Sequence, residues 1–137
     1  MTAQAATQGS GGGPIGPYSP VRWAGDWLVC SGQLGLAGGE LVPGGVLAEL
    51  DQAIDNLAAL LAAEGLGLGD VVKTTVLVVD LADFDAVNER YAARFDPPRP
   101  ARTTFAVAAL PKGAAVEVEA WARRSSGHPD RAGIPVS

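Results

Sequence analysis

Two strand-like stretches carry residues able to do chemistry. In "PARTTF" (100–105), Arg102 follows a proline turn and opens a β-branched run. Strand alternation puts Arg102, Thr104 and Ala106 on one face and Thr103, Phe105 and Val107 on the other. A guanidinium presents two parallel donors, so an arginine beside a hydroxyl suits the gripping of a carboxylate; a solvated strand-end arginine has the same sequence signature. In "VEVEAWA" (116–122), Glu117, Glu119 and Trp121 point one way and Val116, Val118 and Ala120 the other. Such a row is either an ordinary solvent face or the site of a glutamate that activates water.

Other polar residues sit where a ligand could reach them. Asn88 lies four residues after Phe84 and three before Tyr91, close to the apolar stripe of a helix, where its amide needs a partner; capping a neighbouring loop would supply one. "VCSGQL" ends a strand with Ser31 and Cys30 on opposite faces, and Gly32 there lets a backbone N–H approach a ligand. Near the N-terminus, "GPIGPYSP" (13–20) surrounds Tyr18 with three prolines. It reads as the end of a tail, as a PxxP ligand, or as a rigid bracket that aims the phenol.

Several chemistries are disfavoured. The one histidine, His128, lies in the polar segment "SSGHPDRAGIPVS", so neither a Ser-His-Asp nor a Cys-His system has a base in the body of the chain, and a histidine metal site has no ligands. The one cysteine, Cys30, cannot form an internal disulfide and reads as a small core residue. "GLGLGD" follows a helix and opens a strand, the reverse of a dinucleotide loop, so it reads as a helix stop and turn. "DLADFD" lacks calcium-loop spacing and reads as favourable charge at a helix start.

The positioning elements follow from periodicity. "VRWAGDWLVCSGQ" predicts two strands around a Gly25-Asp26 turn, and 36–45 a loop with one short strand near Leu41-Val42. In 46–65, Leu47, Leu50, Ile54, Leu57 and Leu61 form one helical stripe that Gly65 stops. "DVVKTTVLVVD" (70–80) reads as a strand buried on both faces, and 81–95 as a second helix with Phe84, Val87, Tyr91 and Phe95 inward. Strands at 102–110 and 114–124 complete an α/β (α+β) sandwich, a mixed sheet with two helices on one face. The other face stays bare, which predicts burial against copies of the same chain.

The 137 residues are 47% hydrophobic, enough for one domain over 14–124, with 1–13 and 125–137 as flexible tails. A net charge of −5 disfavours a nucleic-acid partner. No apolar run is long enough for a membrane span and no signal peptide is evident, so a cytoplasmic location is expected.

Taken in order, "IGPYS", "SGQL", "QAIDNLAALLAAEG", the block from Asp70 to Phe95, "RPAR" and "LPKGAAVEVEAWA" closely resemble the RidA (YjgF) family of reactive intermediate deaminases across 14–124. The resemblance implies a chorismate-mutase-like fold and a homotrimer with a barrel-like centre and three inter-subunit clefts. It implies hydrolysis of 2-aminoacrylate and 2-aminocrotonate to 2-oxo acids and ammonia, with no cofactor and no metal. Under it, Arg102 grips the substrate carboxylate, Glu117 positions water, and Tyr18, Ser31, Gly32 and Asn88 line the cleft. Thr104 stands where many members have cysteine; a hydroxyl can donate as a thiol can. The segment before Arg102 is shorter than in many members and brings Arg99 close as a second cation. Two other functions occur in such relatives: binding of small 2-oxo-acid-like molecules without turnover, in members lacking the arginine, and endoribonuclease or translation-inhibitor activity.

Overall fold

The computed structural model describes residues 14–124; the two expected tails and His128 lie outside the described residues. The chain runs β1 (Val21–Ala24), β2 (Trp27–Leu34), β3 (Leu36–Ala37), β4 (Glu40–Leu41), α1 (Val46–Ala63), β5 (Val71–Val78), α2 (Phe84–Arg94), β6 (Ala101–Ala106) and β7 (Val116–Arg123), with single 3-10 turns at Leu68–Asp70, Leu81–Asp83 and Pro111–Gly113. The main sheet has the order β1-β2-β7-β5-β6. Its pairs are antiparallel except β5–β6, which are parallel and joined through α2, because only a crossover can return a parallel neighbour. The sheet is mixed and open, and β3–β4 forms a separate two-stranded ribbon.

The apolar stripe of α1 does what its spacing predicts. Leu50, Ala53, Ile54, Leu57 and Leu61 are fully buried against Leu28, Cys30, Val116, Val118, Ala120 and Ala122 of the sheet. Each large side chain so placed contributes roughly 1.5–3 kcal/mol of apolar burial. Helix α1 ends as expected, with Gly65 at φ +80 and the bonds Gly65 N–H to Ala62 O (3.1 Å) and Leu66 N–H to Leu61 O (2.9 Å). Helix α2 packs beside α1 on the same sheet face through Val87 and Tyr91. Its arginines tie the helices together: Arg94 meets Asp55 (2.5 Å) and Asp51 (3.3 Å), and Arg90 also meets Asp51. Asp80 accepts the Ala82 N–H (2.9 Å), so "DLADFD" is a helix-entry signal.

Four expectations need correction. β5 is buried on one face only: Val71, Thr74, Val76 and Val78 are enclosed, whereas Val72 is 43% exposed. Its β-branched run reflects strand propensity and leaves the other face open. β6 stops at Ala106, opposite the end of β5 at Val78; the Val107 N–H still bonds Val78 O (2.8 Å), and residues 108–110 run on outside any strand. Phe84 is 38% exposed because it begins α2. The loop 36–45 contains a paired two-strand ribbon with Leu41 opposite Leu36. Trp121 and Phe105 stand 46% and 47% exposed on the bare sheet face. Among the described residues, no helix is long and apolar enough to cross a membrane.

Candidate active site

Glu117 gets its surroundings from a break in strand pairing. Cys30 pairs with Ala120 and Gln33 with Val118, so Ser31 and Gly32 together oppose Glu119 alone. This bulge bends β2 over β7. Gly32 then lies directly against the Glu117 carboxylate: a Cβ built on Gly32 would sit 1.8 Å from Oε2. Burial, followed by the nearby Glu119 charge, holds the Glu117 carboxyl above its ordinary value of 4.5.

Ser31 fastens the N-terminal segment to this bulge. Its Oγ donates to Ser19 O (2.7 Å) and its N–H to Pro20 O (2.8 Å). Tyr18 N–H bonds Gly16 O (2.9 Å), and the Tyr18 hydroxyl oxygen receives the Ile15 N–H at 3.4 Å. The proline-rich stretch thus forms a fold-back that carries the phenol. Tyr18, Ser31, Gly32 and Glu117 line one cavity of about 780 Å³, with Lys112 and Glu119 among its other walls.

Arg102, Asn88 and Thr104 occupy the helix-packed side. Arg102 pairs with Thr74 and Thr104 with Val76, residues that face the helices and are fully buried. The Arg102 guanidinium lies 4.8 Å from the Tyr91 ring centroid and 5.8 Å from that of Phe84. Tyr91 is fixed in turn by a 2.6 Å hydrogen bond to Thr74 Oγ1 and by stacking on Phe95. The Arg102 Nη2 donates to Asn88 Oδ1 at 2.5 Å. Asn88 therefore orients the arginine and does not cap a loop. Among the described residues Arg102 forms no ion pair, so its charge is held by a neutral amide and two aromatic faces. Thr104 Oγ1 is buried without a hydrogen-bond partner among the described residues.

The expected residues therefore form two groups on opposite faces of the sheet: Tyr18, Ser31, Gly32 and Glu117 on one, and Asn88, Arg102 and Thr104 on the other. One chain does not bring Arg102 to Glu117. Arg99 is the second cation near Arg102: its charge acts on Tyr91 alongside that of Arg102, while its Nε donates to Phe95 O (2.7 Å) and its Nη2 to Ala92 O (3.3 Å), closing the end of α2. Cys30 is buried with its thiol pushed up to about 12 by burial and then by Glu64, so it is an inert core residue. Lys112 was not read from the sequence as part of the site. Its backbone is left-handed (φ 60) and its Nζ donates to Gly39 O at 3.3 Å; a lysine at positive φ gives no local sequence signal.

Residues 11–124 match the family model described as endoribonuclease L-PSP. The mouse protein named 2-iminobutanoate/2-iminopropanoate deaminase is 49% identical over 110 residues, covering 79% of this chain and 82% of its own. The human protein of the same name is 46% identical over 112 residues, covering 80% and 82%. The crystal structure of RidA from an Antarctic Psychrobacter superposes with a TM-score of 0.80 at 38% identity, covering 84% of this chain and 94% of that one. A shared fold and this level of identity along nearly all of the described residues give one conclusion: the chain belongs to the endoribonuclease L-PSP family, the family of the YjgF/RidA proteins.

Proposed function

We propose that this protein is a hydrolytic deaminase of reactive enamine/imine intermediates, 2-aminoacrylate and 2-aminocrotonate, releasing 2-oxo acids and ammonia. It works in the cytoplasm as a homotrimer. Each cleft joins Arg102, Asn88 and Thr104 of one copy to Tyr18, Ser31, Gly32 and Glu117 of the next. The names of the mouse and human relatives support the reaction. The separation of the two groups supports the assembly, as does the open sheet face bearing Trp121 and Phe105.

The observation that carries the reading is electrostatic. Arg102 holds its positive charge against a neutral amide, and Gly32 leaves the half-buried Glu117 carboxylate room at the cavity wall, where burial raises its carboxyl above the ordinary value and makes it a better proton acceptor. The enamine tautomerises to the imine. The Arg102 fork grips its carboxylate and fixes the imine carbon. Glu117 takes a proton from water as the water oxygen bonds to that carbon, and the imine nitrogen gains a proton. The Glu117 carboxyl then returns the water's proton to the amine of the resulting carbinolamine, the C–N bond breaks as ammonia leaves with its electron pair, and the hydroxyl proton passes to solvent to give the 2-oxo acid. Thr104 Oγ1 and Tyr18 supply hydroxyls at the two sides of the cleft.

The test is 2-oxobutyrate release when a threonine dehydratase generates the imine. Acceleration by the wild type that Arg102→Ala and Glu117→Ala each abolish supports the reading; rates equal to buffer for all three refute it. Co-refolding the two variants tests the assembly. Random trimers regain about a quarter of the clefts if arginine and glutamate come from different copies, and none if each copy works alone. RNA cleavage, the activity in the family's description, is dismissed if it does not copurify with the trimer and is unaffected by Glu117→Ala.

A further inference from the structure

Helix α1 carries two buried polar side chains, Glu49 and Asn56, each 7% exposed. They lie seven residues apart, two turns along the same side of the helix. Burying an amide or a carboxylate is unfavourable unless its hydrogen bonds are made. Asn56 makes three: Nδ2 donates to Leu34 O (3.0 Å) and Leu36 O (2.9 Å), and Oδ1 accepts from Gln52 Nε2 (2.9 Å). Glu49 Oε1 accepts the Ala115 N–H at 2.8 Å.

The backbone groups they hold are informative. Leu34 is the ladder partner of Glu117 across β2–β7, and Ala115 leads directly into β7, two residues before Glu117. Between Leu34 and Leu36, Gly35 rests so closely on the helix that a Cβ there would lie 2.6 Å from Glu49 Cα. One helix thus fastens the strand end opposite Glu117 and the strand start before it. An all-apolar α1 would still bury its stripe, but it would leave both ends free to shift.

We propose that Glu49 and Asn56 are positioning residues for the deaminase reaction, through which α1 fixes where the Glu117 carboxylate sits. This rests on the reading of Glu117 given above. The substrate grip in this cleft belongs to Arg102 of the neighbouring copy, so loosening these anchors affects turnover more than binding.

The test uses Asn56→Ala, Glu49→Ala, Glu49→Gln and Gln52→Ala in the full chain, with Tm, kcat and KM, and a 13C NMR titration of the Glu117 carboxyl. The other ionisable groups lining the cavity, Glu119, Lys112 and Tyr18, stay in place in every variant. Asn56→Ala and Glu49→Ala are expected to lower kcat about tenfold or more with KM nearly unchanged, and to move the Glu117 titration down toward the ordinary carboxylate range as water enters. Glu49→Gln keeps the acceptor for Ala115 N–H and restores both readouts. Gln52→Ala, which only frees the Asn56 amide, gives a smaller change of the same sign and decides the matter if the alanine variants do not fold. Lower Tm with unaltered kcat and an unaltered Glu117 titration overturns the proposal and leaves two structural residues. If the wild type itself shows no turnover, the deaminase reading fails, and the titration alone decides whether α1 positions Glu117.

Discussion

Gly32→Ala separates the geometry of the site from the stability of the fold. Gly32 does not occupy the left-handed region, so alanine is permitted by the backbone. The three atoms nearest to the added methyl all belong to the Glu117 side chain: Oε2 at 1.8 Å, Cδ at 2.8 Å and Cγ at 3.1 Å. The obstacle is the end of a flexible side chain, which yields by rotating. To reach the ordinary contact distance of 3.4 Å, the carboxylate must retreat by about 1.6 Å. A misplacement of about 1 Å at a reacting group costs on the order of 100-fold in rate, so kcat should fall by about that factor. In the proposed cleft the gripping Arg102 comes from the neighbouring copy and is not among the atoms nearest the methyl, so KM should move little. Removing a glycine also narrows the unfolded ensemble by roughly 0.4–1 kcal/mol, so Tm should hold or rise slightly. Steady-state kinetics and calorimetry on Gly32→Ala, Glu117→Ala and the double variant check this. If the methyl acts only through Glu117, the double variant is no slower than Glu117→Ala. A wild-type kcat for Gly32→Ala, or a loss that adds to that of Glu117→Ala, refutes the reasoning.

Three further outcomes are expected. Asn88→Asp turns the neutral partner of Arg102 into a competing anion and should raise KM tenfold or more, whereas Asn88→Ala, which only loosens the fork, should cost less; substrate titrations of both variants compare them. Glu117 is raised by burial, so its stabilising share is complete below pH 4.5 and is lost as pH rises through its folded value. Thermal melts should therefore show Glu117→Gln melting above the wild type at pH 7, with the difference closing below pH 4.5 while activity stays low. Cys30, with its thiol pushed up to about 12, should resist iodoacetamide at pH 8 in the native protein and react only after unfolding, as read by intact mass.

The parts of this molecule that were legible in its sequence are those governed by periodicity. The stripe from Leu50 to Leu61, the alternation of Val116, Val118 and Ala120 against Glu117 and Glu119, and the face shared by Arg102 and Thr104 all follow from 3.6- and 2-residue repeats. The run 71–78 misled because valine and threonine favour strands whether one face or both are covered, so composition cannot count neighbours. Long-range pairing was hidden for a different reason. Nothing local marks Asn88 as the partner of Arg102, or Asn56 as the anchor of Leu34 and Leu36, since each bond spans at least fourteen residues and depends on how strands and helices meet. The bulge at Ser31-Gly32 belongs to the same class: it exists only in register with Glu119. Alternation, once the register sets Arg102 beside buried Thr74, puts Arg102 on the helix side and Glu117 on the bare side of one sheet. A chain that needs both in one cleft must then bring the second from another copy. The parity of two short strands, read with their register, thus argues for assembly, and the open face of Trp121 and Phe105 is where a copy would bury apolar surface.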